Sequence, residues 1–274
     1  MTRHIHSRNA DYQILLALKA NRLKRHRVGA FIVEGVRNIN QAVERGWHVA
    51  GWIYCRGRAL SGWAAGLIGS IKTDGDYILD APLMAELSGK DDTSELLALV
   101  SLRPDEPDLA ALCGQPLTLL FDRPSNHGNL GSLMRSCDAF GVSSLIIAGR
   151  AVDAYDPGVI AASMGSFFSV RRARAGSMEA VESIIASLRG NQPGFQTVGA
   201  TARPETPIDR VDFTRPTLLM IGNETDGLAR GLKERCDVLA TIPMSGQSSA
   251  SSLNAACAAT AILYEAARQN RKPD

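Results

Sequence analysis

The apolar and polar positions of this chain switch repeatedly between the spacings that mark helices and strands. Over residues 11–25, Ile14, Leu15, Leu18 and Leu23 fall at helical spacing, with basic residues largely on the other faces. A short apolar run at 30–33 predicts a strand, followed by a helix over 37–45, a strand at 52–55 and a helix over 61–69. Strands at 76–79 and 96–102 complete a small alternating α/β unit. Its Trp47, Trp52 and Trp63, the chain's only tryptophans, either fill that unit's core or stack on bases.

Residues 101–116 break the pattern. Pro104, Pro107 and Pro116, with Asp105, Glu106 and Asp108 between them, read as a linker over 104–116 that divides 1–103 from 117–274. Alternation then restarts more strongly. A strand at 117–121 leads into a turn-rich loop over 122–131, and a helix from 130 to 140 is stopped by Gly141. A strand at 144–148, helices over 160–168 and 177–190, and a strand at 197–200 follow.

The last third carries strands at 218–221 and 239–242, a helical stretch over 228–235, and a final helix whose small face is Ala255, Ala256, Ala258 and Ala259. Strands alternating with helices predict the α/β class, with a mostly parallel sheet covered on both faces. The two late strands end in loops of Gly, Ser, Gln and Ala beside a helix start, where an open α/β sheet places its ligand. Such loops read a small polar ligand through the main chain.

Composition adds bounds to this picture. With 45% hydrophobic and 21% charged residues over 274 positions, the chain can build an ordinary core. No apolar run nears the ~18 residues of a membrane span, and the start MTRHIHSRNADYQ has no secretory core, so a cytoplasmic protein off the membrane is expected. Cys55, Cys113, Cys137, Cys236 and Cys257 are odd in number and dispersed, as expected of reduced thiols that mostly serve as small core residues. Net charge is only +2, but its distribution is uneven. Arg3, Arg8, Lys19, Arg22, Lys24, Arg25 and Arg27 face a single acid, Asp11, within the first 30 residues. That segment is either a polyanion-binding surface or a solvated helix face.

Most common chemistries lack their residues here. The loop Gly128-Asn129-Leu130-Gly131 follows a strand and opens a helix, but it is not a dinucleotide fingerprint. No G-K-[ST], H-E-x-x-H or G-x-S-x-G occurs, which disfavours dehydrogenase, nucleotide-kinase, metal and α/β-hydrolase chemistry. No metal is expected.

Three segments taken together are more specific. NHGNLGSLMRSCDAFGV from Asn126, LLMIGNETDGL from Leu218 and IPMSGQSSASSLNAACAATAILYE from Ile242 resemble, in order and spacing, the three motifs of the SpoU-type (TrmH-like) RNA ribose 2′-O-methyltransferases of the SPOUT class. The segment NRLKRHRVGAFIVEGVRNINQAVERG from Asn21 looks like the ribosomal-protein-like substrate-binding domain many members carry.

The resemblance implies a trefoil-knotted C-terminal domain that binds S-adenosylmethionine and works as a homodimer on RNA, ribosomal RNA before transfer RNA. It implies catalytic roles for Asn129, Arg135, Glu224, Ser252 and Asn254, the first two near the target ribose and phosphate. Cofactor contacts would fall at Thr201, Gly222, Ile242, Met244, Leu253 and Asn254, and RNA contacts at Arg22, Lys24, Arg25 and Arg27. A guanidinium with a pKa above about 12 is a reluctant base. Arg135 is therefore expected to clamp a phosphate and stabilise the developing alkoxide, while phosphate or water takes the proton.

Two departures from the family pattern stand out. Ala256 replaces a hydroxyl commonly found there, and seven residues separate Met244 from Ser252 where about five is usual, which leaves the register at Ser251/Ser252 open. These departures are the only sequence support for an alternative, a non-catalytic RNA- or ribosome-binding protein on a degenerate knot.

Overall fold

The computed structural model describes residues 2–271 except 106, 109, 110, 113, 143 and 204. Glu106 of the expected linker and Cys113 lie outside the described residues. Two compact units emerge, one of Met1–Pro104 with Asp153–Phe168, the other of Asp105–Val152 with Ser169–Asp274. The excursion 153–168 is not visible as a break in the sequence pattern.

The first unit holds a five-stranded sheet in the order β1-β4-β3-β5-β2, formed by Arg3–Ile5 (β1), Ala30–Glu34 (β2), Val49–Cys55 (β3), Tyr77–Leu79 (β4) and Leu96–Ser101 (β5). β4 pairs in parallel with β1 and β3, while β5 runs antiparallel to β2 and β3. Helix Ala10–Ala20 buries Tyr12, Leu15 and Leu18 in a cluster with Ile32, Ile53 and Leu99. Trp52 is fully buried, and Trp47 packs with Phe31, Phe167 and Phe168, so these two tryptophans serve the core. Trp63 is half-buried and donates Nε1 to Asn40.

Arg25 departs from expectation. It lies 1% exposed, with its guanidinium 2.6 Å from Asp153 and 3.5 Å from Asp156, and it also donates to the carbonyls of Leu18 and Lys19. A buried charge must be paired, and here the pairing fastens Asp153–Phe168 into the first unit. Arg25 is thus a structural residue rather than an RNA contact. Arg22 and Lys24 are half-buried and Arg27 is exposed.

The second unit is a seven-stranded sheet in the order β10-β12-β9-β11-β6-β7-β8, with every neighbouring pair parallel. Its strands are Leu117–Asp122 (β6), Ser144–Ala148 (β7), Arg171–Ala175 (β8), Gln196–Ala200 (β9), Thr206–Pro207 (β10), Thr217–Ile221 (β11) and Val238–Thr241 (β12). β11 therefore sits between the earlier strands β6 and β9. One face packs Leu120, Leu218 and Met220 against Val181, Ile184 and Leu188 of helix Met178–Asn191. Helix Ala255–Asn270 packs on helix His127–Ala139, joined by a 2.6 Å contact between the Ser136 and Thr260 hydroxyls.

Several boundaries differ from the sequence expectation. The strand β8 is missing from it, because its sequence RRARA buries only Ala173 and Ala175. The stretch 228–235 is helical only over Arg230–Lys233. The first-motif helix starts at His127 rather than 130, because Asn126 caps it by accepting from the Asn129 backbone N–H.

Candidate active site

The C-terminal ends of β9, β11 and β12 open into a cleft of about 700 Å³. Its walls include Thr201, Gly222, Ile242, Met244, Ser251, Ser252 and Leu253, and Ala200 and Ile262 add apolar surface. Met244 and Leu253 are among the few large apolar side chains left exposed. Gly222 is required by close approach: a Cβ there would lie 2.1 Å from the Leu228 nitrogen. The loop that follows folds back on itself, with Asn223 and Gly227 exchanging both backbone hydrogen bonds at 3.1 and 3.0 Å.

Glu224, at the edge of this loop, gathers the first motif around its carboxylate. It accepts from the Ser125 N–H at 3.1 Å and hydroxyl at 2.8 Å, the Asn126 N–H at 3.3 Å, Asn129 Nδ2 at 3.1 Å and Asn223 Nδ2 at 3.3 Å. Burial pushes this carboxyl's pKa up. The hydrogen bonds from its own N–H, Ser125 and Asn129 outweigh burial and hold it below the ordinary value. An ionised carboxylate with so many donors is a poor proton acceptor, and its contacts tie the first-motif loop to this one.

Asn129 connects the other two motifs. Its Nδ2 donates to Glu224, and its Oδ1 accepts from Asn254 Nδ2 at 2.9 Å. Asn254 in turn caps helix Ala255–Asn270, accepting from the N–H groups of Ala256 at 2.9 Å and Cys257 at 3.2 Å. Asn254 is therefore the cap of this helix. Ser251 and Ser252 are both exposed in the loop before the helix, and both line the cleft. Asn254 is exposed and lies outside the cleft lining, so its place is with Asn129 rather than on the cleft wall. Arg135 is exposed on the same helix as Asn129, six positions or about 9 Å further along.

Sequence reading missed Asp122 and Arg123. Asp122 is buried and accepts from the Ala229 N–H at 2.8 Å and from both Nε and Nη2 of Arg123 at 3.0 Å. Among the described residues, Arg123 is one of two non-glycine positions with positive φ, at 48°. Asp-Arg-Pro gives no hint of this backbone state. Among the described residues no group of three or more His, Cys, Asp or Glu is placed to hold a metal, and no helix is long and apolar enough to cross a membrane.

An all-parallel sheet with a main-chain-lined cleft at its strand ends, bordered by a carboxamide–carboxylate network, defines an α/β enzyme domain for a small ligand. The SpoU rRNA Methylase family model matches residues 116–264, and the model of the SpoU L30e-like domain matches 9–98. The chain belongs to the SpoU rRNA methylase family. It is 45% identical over 269 residues, 97% of its own length and 92% of the relative's, to the 23S rRNA (uridine(2479)-2'-O)-methyltransferase of Streptomyces viridochromogenes. It superposes with TM-score 0.88 and 43% identity on the SpoU methyltransferase AviRb from the same organism in complex with the cofactor AdoMet, covering 96% and 98% of the two chains. A solved RNA 2'-O ribose methyltransferase is 28% identical with TM-score 0.75, over 97% and 99%.

Proposed function

We propose that this protein transfers a methyl group from S-adenosylmethionine to a ribose 2′-OH of ribosomal RNA of the 23S type. The observation that carries the reading is the junction of the three motifs: Glu224 and Asn254 both hold Asn129, at the rim of a cleft floored by Gly222. A cleft of about 700 Å³ suits a nucleoside-sized ligand. Its main-chain polar groups and its apolar Ile242, Met244 and Leu253 match a donor with a polar ribose and a flat base whose faces pack on apolar side chains.

Thr201, Gly222, Ile242, Met244 and Leu253 would hold that donor. The chemistry such a donor supplies is a methyl group made electrophilic by its sulfonium. The rest is done by this chain's side chains. Asn129 and Arg135, on one rigid helix, hold the target nucleotide so that its 2′ oxygen lines up for attack. Arg135, exposed and with no carboxylate partner among the described residues, clamps the adjacent phosphate and stabilises the alkoxide as it forms. Phosphate or water takes the proton. The first unit supplies RNA contacts through Arg22, Lys24 and Arg27.

The insertion of β11 between β6 and β9, with the last helix packed on the first-motif helix, supports a trefoil-knotted domain. Exposed Tyr264, on the last helix and outside the cleft lining, supports a homodimer. We place the protein in the cytoplasm, where its RNA is made.

The test is transfer of labelled methyl from S-adenosylmethionine to unmodified ribosomal and transfer RNA, followed by alkaline hydrolysis. Label in alkali-resistant dinucleotides of the ribosomal pool is expected, because a blocked 2′-OH cannot attack its phosphate. Label in mononucleotides would mean base methylation and would overturn the reading.

A further inference from the structure

We infer that Asp122 and Arg123 form a positioning dyad that sets the second-motif loop for the methyl donor. This inference rests on the donor reading of the cleft. The dipeptide reaches the loop Gly222–Ala229 at both ends. At the start, the Arg123 carbonyl accepts from Asn223 Nδ2 at 2.7 Å, while Asn223 Oδ1 closes the turn by accepting from the N–H groups of Thr225 and Asp226. At the far end, Asp122 accepts from the Ala229 N–H at 2.8 Å, and Arg123 Nη2 donates to the Gly227 carbonyl at 3.4 Å. Arg123 Nη1 also stands 3.7 Å from the Asp226 carboxylate. Cleft-lining residues 222–228 are therefore held by two consecutive residues at the end of β6, through the Arg123 carbonyl at the start and the Asp122 and Arg123 side chains at the far end.

The backbone is arranged to permit this. Arg123 takes a left-handed conformation that costs an ordinary side chain energy. Its N–H donates to Ala148, and its stem covers Gly149, where a Cβ would lie 2.9 Å from Arg123 Cγ. The bend turns the guanidinium back onto Asp122, which is 3% exposed and fixed in turn by Ala229. Strain held at a site boundary by several compensating bonds marks a conformation that matters to the site. Because Asn223 also donates to Glu224 at 3.3 Å, the loop that would touch the donor is tied to the carboxylate that holds Asn129. Arg123 is thus a positioning residue that links donor binding to placement of the target nucleotide.

The discriminating variant is Arg123→Asn, since asparagine tolerates the left-handed backbone while removing the guanidinium. Arg123→Lys keeps the charge but loses the fork. Hydrogen exchange of the free protein, calorimetric titration with S-adenosylmethionine and titration with ribosomal RNA are compared with the parent chain. For Arg123→Asn we expect exchange of amides 223–229 to quicken by roughly tenfold with protection elsewhere unchanged, and donor Kd to rise by roughly tenfold, the scale of one lost charge-assisted hydrogen bond. Arg123→Lys recovers part of both effects, and RNA affinity stays within about twofold. Unchanged loop exchange and donor affinity would overturn the inference. So would a fall in RNA affinity alone, which makes Arg123 an RNA contact, or a loss of protection throughout, which makes it a general structural residue. If the parent chain itself fails to bind S-adenosylmethionine, the donor reading fails and the inference with it.

Discussion

Asn254 donates from Nδ2 to Oδ1 of Asn129 across 2.9 Å while its own Oδ1 caps the last helix. One side chain thereby starts a helix and fixes the residue expected beside the target ribose. The two jobs use different atoms, so they can be separated. Asn254→Asp keeps the capping oxygen but cannot donate to Asn129, which is already committed to Glu224 through Nδ2. Its melting temperature is expected to stay near that of the parent while methyl transfer falls by at least tenfold. Asn254→Ala loses both functions and about 1 kcal/mol of stability with the cap. Denaturant midpoints read beside initial rates check the split, and equal activity in Asn254→Asp would contradict it.

Glu224 is expected to behave as an organiser. In Glu224→Gln an amide replaces one carboxylate oxygen and meets donors from Ser125, Asn126, Asn129 and Asn223, leaving one or more of them unsatisfied. The expected cost is about 1–3 kcal/mol, with loosened exchange at 125–129. The sign with pH follows from its lowered pKa. The carboxylate's stabilising contribution is fully present above its unfolded value and is lost as pH falls through the lower folded value. Order in the first-motif loop, followed by NMR, should therefore survive to pH values at which an ordinary glutamate is already protonated. Loss at higher pH would contradict this.

Arg25 and Arg27 stand two positions apart and should behave oppositely. Arg25→Ala leaves Asp153 buried without its partner and is expected to cost about 3–5 kcal/mol. Arg27→Ala, on an exposed side chain, should shift stability by less than about 0.5 kcal/mol and lower the salt dependence of RNA binding by about one unit of slope. Chemical denaturation and RNA titrations at several salt concentrations measure both.

The described cysteines differ sharply in environment. Burial pushes the Cys137 and Cys236 thiols up to about 12, whereas Cys257 is exposed. A thiol reagent at neutral pH should label Cys257 in the native protein and spare Cys137 and Cys236 until denaturant is added. Peptide mapping gives the answer directly.

The sequence made the strand runs legible because a buried parallel strand is continuously apolar, as in Leu218–Ile221. It hid β8 because an edge strand written RRARA has only two inward positions. The start of the first-motif helix was obscured because the Asn126 cap is a side-chain event within a glycine-rich string. Arg25 looked like its basic neighbours, since the partner that buries it lies 128 residues away. The motif residues were visible through resemblance, but their linkage was not. Glu224 meets its first-motif donors across nearly a hundred positions, and the left-handed turn at Arg123 follows from contacts with Ala148, Gly149 and Asn223 that no local pattern encodes.

The most direct measurement compares Arg135→Ala with the parent chain in two assays, calorimetric binding of S-adenosylmethionine and methyl transfer to unmodified ribosomal RNA. Arg135 is exposed and outside the cleft lining, so donor affinity and melting temperature are expected to stay unchanged while transfer falls by roughly a hundredfold or more. Transfer that survives intact in Arg135→Ala would contradict the claim that this guanidinium acts on the target nucleotide.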